Sequence, residues 1–361
     1  MKREVLRSRP LSSFKPKKYE WLLWQFIPLR HITTICGDGA VGKSTMMYDL
    51  AARITTGEAM PTFGGEPEQK PIKGSVIVVS KEDDPQGMMR LRLRAAGADL
   101  KKVHIIGRDR SDKSDDFEVI DRLDTPAALA HLEQVIGEIG DVRMLFIDPA
   151  SDFAGDLNIY REEHVRKLLS PLADLARTYD LSVIISLHLN KDIKRKPRQR
   201  MLGSVALANV ARSVLMVGHS SVAGRRLLMM EKCNLVRDRR AVAFAIEEDE
   251  EQQPIVEWEM EWEDVDVDAV LSEKAAHVTK QQQAGFKLRA FLADGPRSAR
   301  DARELTRKLG YHFNTMKAAK KECGIISEKR EDGWWWSLPI QEDNVIDFES
   351  TPKRRERLDA E

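Results

Sequence analysis

The 361 residues carry 58 basic and 58 acidic side chains for a formal charge of zero, with 42% hydrophobic and 32% charged residues. That balance excludes a disordered or fibrous chain, and no apolar run reaches the roughly 18 to 20 residues that cross a bilayer. Cys36, Cys233 and Cys323 are odd in number and far apart, which excludes a disulfide framework or a metal knuckle.

Residues 1–20 are basic and lack the apolar core of a secretory signal, so they read as a tail on a cytoplasmic protein with no membrane partner. Over 21–265, apolar strand-like runs alternate with amphipathic stretches, the pattern of βα units around a mostly parallel sheet. HITTIC, SVIVVS, VHII, RMLFID and SVIISLH are the predicted strands. STMMYDLAARITTG, TPAALAHLEQVIGEIG and EEHVRKLLSPLADLARTY repeat apolar residues every three or four positions and predict helices. After Gly203 come SVLMVGH, RRLLMMEK, AVAFAIEE and IVEWEMEW, which suggest an antiparallel extension at one sheet edge.

Charge is segregated along the chain. Residues 245–268 hold twelve acidic side chains and no basic one, and 266–283 read as a linker or a solvated helix. Over 284–339 the order is three helices and a β-hairpin with Asp332-Gly333 as its turn, the outline of a winged helix-turn-helix. The triplet Trp334, Trp335 and Trp336 is assigned to structure, because successive residues of a strand face opposite sides and at least one of the three then faces the core. Residues 340–361 are highly charged and read as a disordered tail.

The stretch GDGAVGKST matches GxxxxGK[ST] between a predicted strand and a predicted helix. It comprises Gly37, Asp38, Gly39, Ala40, Val41, Gly42, Lys43, Ser44 and Thr45. Glycines let the backbone curl until its N–H groups face phosphate oxygens, and the helix N-terminus adds positive potential. In this P-loop, Lys43 would reach the β- and γ-phosphates of ATP, and the Ser44 hydroxyl would ligate Mg²⁺. Asp148 ends the strand MLFID and is the candidate second metal ligand, with helix capping as its alternative. Pro149 follows it, so a hydrolytic base must come from elsewhere. Glu82 and Asp83, after SVIVVS, stand at a strand's C-terminal end, and Glu82 is a candidate to orient and deprotonate water; its alternative is a surface acid capping the helix that begins near Gln86. His188 and Asn190 end another strand at the same edge, within reach of a γ-phosphate, or His188 is structural.

Together PLRHITTICGDGAVGKST, SVIVVSKEDDP, MLFIDPASDF, SLHLNK and GSVALANVARS resemble the RecA-like ATPases of the RepA-type replicative helicase group, the AAA-25 family of plasmids, phages and integrated elements. The resemblance spans about 21–258 and implies a RecA-like core. It gives Glu82 the base role, Asp148 the Mg²⁺ role and His188 the γ-phosphate-sensing role. It further implies a hexameric homo-oligomeric ring with ATP at subunit interfaces, each site completed by a neighbour's basic residue. EKCNLVRDRR supplies Lys232 and Arg237 for that finger, although Asn234 departs from the family's compact Lys-x-Arg pattern; Arg212 in NVARS competes.

In such rings the loop after the sensor strand grips single-stranded DNA. Here NKDIKRKPRQR holds six basic residues against one acidic: Lys191, Lys194, Arg195, Lys196, Arg198 and Arg200. They would neutralise phosphates without sequence preference. In the winged helix, Asn314, Lys317, Lys320 and Lys321 are candidates for a second DNA contact, and replication or mobile-element proteins are the implied protein partners. The competing reading is an ATP-dependent DNA-binding switch that does not unwind.

Overall fold

The computed structural model describes residues 8–16, 18–65, 69–109, 117–159, 161–189, 209–222, 224–237, 240–272, 284, 285, 288, 289, 291, 292, 295–308, 313–330 and 333–338. They fall into two compact units, 1–277 and 278–361.

The first unit begins with β1 (Trp21–Leu23), β2 (Ile27–Pro28), β3 (Ile32–Gly37), α1 (Lys43–Thr56) and β4 (Ser75–Ser80). A π-helical turn, Pro85–Met89, runs into α2 (Arg90–Ala95), followed by β5 (Val103–Ile105), β6 (Gly107–Asp109) and β7 (Phe117–Val119). Then come α3 (Pro126–Ile139), β8 (Val142–Asp148), α4 (Glu162–Thr178) and β9 (Ser182–His188). β10 (Ser213–His219), β11 (Arg225–Cys233), β12 (Ala241–Glu248) and β13 (Pro254–Glu263) complete the strands.

Nine of these form one sheet in the order β13-β12-β11-β10-β3-β9-β8-β4-β5. From β10 to β5 neighbours run parallel. β11, β12 and β13 add antiparallel. The antiparallel extension expected after Gly203 therefore starts one strand later, because β10 joins β3 in parallel from Ser213↔Thr33 to Val217↔Gly37. β10 is buried on both faces almost throughout, as a strand between two covered layers must be. In β4, Val76 and Val78 pack with Met46, Met47 and Leu50 of α1. Ile77 and Val79 belong to the opposite core with α3 and α4, so consecutive residues feed the two layers.

The stretch read as a linker is partly core. Val267–Ser272 is helical, and Val267 and Leu271, four residues apart, are buried while the acids at 264 and 266 are not. Residues 273–283 of that stretch lie outside the described residues.

In the second unit, β14 (Arg297–Ser298), helices Ala299–Lys308 and Phe313–Glu322, β15 (Ile326–Arg330) and β16 (Gly333–Ser337) enclose a small core that includes Leu288, Ala302, Met316 and Trp336. The sheet order is β14-β16-β15, and helical residues precede it at 284–285, 288–289 and 291–292. Trp336 is buried in this core, whereas Trp334, two residues earlier on the same face of β16, is exposed beyond the core's edge. Asp332 and 340–361 lie outside the described residues. Among the described residues, no helix is long and apolar enough to cross a membrane.

Candidate functional site

β3 delivers Gly37 to the C-terminal edge of the parallel strands, where open α/β sheets bind ligands. The chain then turns and enters α1 at Lys43. Gly42 has φ +98°, and a Cβ there would lie 2.4 Å from Ile246 Cδ1, so the turn requires glycine on both backbone and space. Arg226, on β11, also borders this turn, with its Cδ and Nε each 3.5 Å from the same point.

Lys43 is buried, and its Nζ donates to the carbonyls of Gly37 and Asp38 at 3.0 Å each. Burial lowers its pKa, against the opposing pull of the Asp148 and Glu82 charges. Ser44, next in sequence, donates through Oγ to Asp148 Oδ2 at 2.6 Å.

Asp148 ends β8, two strands from β3, and is 1% exposed. Burial pushes its carboxyl pKa up, the Ser44 hydroxyl opposes that, and the Glu82 charge reinforces it. Asp148 Oδ1 and, on β9, Ser186 Oγ are buried and neither makes a hydrogen bond of full geometry among the described residues, although Ser186 lies near enough to oppose the rise in the Asp148 pKa. A buried orphan carboxylate oxygen beside a hydroxyl is a hard-oxygen donor set that fits a divalent cation such as Mg²⁺. The capping alternative is not used, since the short helix Ala150–Phe153 has Pro149 at its cap and no side-chain cap bond.

Glu82 stands beyond the end of β4, and its Oε1 lies 2.7 Å from His188 Nε2. His188 ends β9 and pairs in register with Gly37, so the two residues bracket the end of β8. Their side chains remain 43% and 41% exposed. Glu82 does not cap the following helix, because Asp84 takes the Gly87 N–H at 2.7 Å.

Lys232 and Arg237 are not brought to this edge. Lys232 pairs with Val214, which pairs with Thr34, so it lies three residues back along the strands, about 10 Å from the Gly37 level. Its Nζ lies 3.5 and 3.4 Å from the Asn209 and Ala211 carbonyls, and burial followed by the Arg212 charge lowers its pKa. Arg212, whose N–H bonds the Ile32 carbonyl, shares that end; Arg237 is exposed after β11. Asn190, Lys191, Lys194, Arg195, Lys196, Arg198 and Arg200 lie outside the described residues. In the second unit Asn314, Lys317 and Lys321 are exposed, whereas Lys320 lies 4.5 Å from the Trp336 ring centroid and bonds Ser327, so it is already engaged within its own unit.

Asp83, placed at the same strand end by the sequence but given no role there, is buried beside Glu82 and bonded to Tyr48 of α1 and Arg92 of α2. The run of three acids in KEDD is its only mark in the sequence.

A family model described as an AAA domain, AAA-25, matches residues 4–193. No curated protein matches the chain.

Proposed function

The chain belongs to the AAA-25 family, which makes it an ATPase of the P-loop class, and on that premise we propose a ring-forming motor on single-stranded DNA, a RepA-type replicative helicase of a plasmid, phage or integrated element. It would work in the cytoplasm with replication or mobile-element proteins. The observation that carries the hydrolytic half of this reading is the 2.7 Å contact between Glu82 and His188 over the end of the strand that carries Asp148.

In this mechanism the P-loop backbone and Lys43 hold the triphosphate of ATP. Ser44 and Asp148 would hold Mg²⁺, which when bound offsets the phosphate charge. Glu82 orients and deprotonates the attacking water, and His188 contacts the γ-phosphate. Because the two side chains share one hydrogen bond, engagement of His188 by phosphate releases Glu82 to water. Lys232 with Arg237, or Arg212, completes the site of the next subunit. Their place away from the Lys43 edge supports a role in trans over one in cis.

The basic residues of 191–200 follow directly from the His188 strand, which supports coupling between the γ-phosphate and the DNA backbone. The second unit's helix, helix and hairpin support a winged helix whose Asn314, Lys317 and Lys321 offer a second DNA contact.

A forked duplex with ATP, assayed for strand displacement beside DNA-stimulated ATPase, tests this reading. Stimulation with displacement is expected. Stimulation without displacement assigns the chain to the DNA-binding switches, and unstimulated turnover removes DNA as the partner.

A further inference from the structure

Glu82 projects from a loop, and a catalytic carboxylate on a loop works only if something holds its backbone to a fraction of an ångström. The residues flanking it are tied down. Lys81 donates through Nζ to the carbonyls of Asp121 and Asp152, each at 3.0 Å. Ser80 Oγ accepts the N–H groups of Glu82 and Asp83 at 3.2 and 3.4 Å. Asp83 turns inward, where its carboxylate takes the Tyr48 hydroxyl at 2.9 Å and Arg92 Nη1 at 2.9 and 3.2 Å.

Tyr48 lies one helical turn after Ser44 on α1, so both side chains leave the same face of that helix. Ser44 bonds Asp148, and Tyr48 bonds Asp83. Arg92, on α2, closes the loop from its far side. The metal-side and base-side groups are thus yoked to one helix. Burial raises the Tyr48 pKa, which keeps the hydroxyl a donor at every working pH.

We propose that Asp83, gripped by Tyr48 and Arg92, is a positioning residue that sets Glu82 relative to the P-loop helix, so that the Tyr48 hydroxyl acts on turnover through Glu82. The inference rests on the reading of Glu82 as the base. A tie that served the fold alone would also hold these groups together, so the test needs readouts that separate the two.

Tyr48→Phe removes one hydroxyl and leaves the Asp83–Arg92 pair intact. In the full chain it should lower kcat about tenfold to a hundredfold, with KM, affinity for a fluorescent ATP analogue and melting temperature nearly unchanged. Asp83→Asn, which keeps an acceptor for Tyr48 but drops the charge facing Arg92, should show the same kcat-selective loss. In a double-mutant cycle, Tyr48→Phe should cost nothing further once Glu82→Gln is present. Unchanged kcat in both variants, a loss confined to nucleotide affinity or melting temperature, or full additivity with Glu82→Gln overturns the positioning role while leaving the base role standing. Normal turnover in Glu82→Gln alone removes the base role and the positioning role with it.

Discussion

The ends of β8 and β4 are neighbours in the sheet, yet each solves the placement of a carboxylate differently. At β8 the carboxylate is the strand's last residue: Asp148 is buried, fixed by the sheet itself, and bonded to Ser44. At β4 the strand stops at Ser80, and Glu82 stands two residues further on, half in solvent. A metal ligand profits from burial because the ion supplies the missing charge. A base that must meet water cannot be buried so deeply, and its precision has to come from tethers on either side.

The sharpest way to break this comparison is to remove each carboxylate. Glu82→Ala and Asp148→Asn should both abolish ATP turnover, read as phosphate release, and substantial turnover in either would remove that residue from its role. Their stabilities should then diverge. In metal-free protein Asp148→Asn should raise the unfolding free energy by on the order of 1 kcal/mol, since it deletes a buried, half-satisfied charge. Glu82→Gln, at an exposed loop position, should leave stability within about 0.5 kcal/mol by denaturant titration.

A Gly42→Ala substitution should come next in size. The added methyl meets Ile246 at 2.4 Å in a left-handed backbone, so nucleotide affinity should fall about tenfold or more while Glu82 and His188 keep their contact. Equilibrium binding of a fluorescent nucleotide reads this out, and trimming Ile246 to Ala should not rescue it fully because the positive φ remains.

The smallest effect is on pH. Asp148 has a raised folded pKa, so the native state takes up its proton before the unfolded chain does, and acidification relieves the burial penalty. The stability advantage of Asp148→Asn should therefore be complete above the folded pKa and fade as pH falls through it towards 3.8, the value of an unperturbed Asp. Denaturant titration across that range checks it, and an advantage that stays constant down to pH 3.8 would remove burial as the source of the Asp148 shift.

Much of this architecture is legible in the sequence because it is local. Apolar runs bounded by turns mark β3, β4, β8 and β9, and GDGAVGKST marks the turn between β3 and α1. MLFID announces a carboxylate at a strand end without any knowledge of its neighbours. Pairing across the sheet is not local, so β10 was misread as antiparallel, and the short β1–β2 and β6–β7 ribbons carried too few residues to show a period. Asp83 is legible at the strand end but its contacts are not, for the same reason: Tyr48 and Arg92, 35 and nine residues away, hold it, and nothing in KEDD names them. Val267 and Leu271 were hidden in an acidic stretch whose composition outweighed their spacing.

The separation of Lys43 from Lys232 along the same strands also has a bearing on symmetry. β3 points its C-terminal end at the phosphate cradle, while Lys232 and Arg212 gather towards its N-terminal end. Two copies related by a two-fold axis set residue i against j and j against i, so a cation of one copy reaches the other's cradle only where the reverse contact forms in the same interface. A heterologous, head-to-tail contact would need one cation and one cradle per interface, each copy offering its far end to one neighbour and its cradle to the other. Such contacts repeat in one direction, into a closed ring or an open filament, so the direction of β3 would give any assembly built this way its polarity.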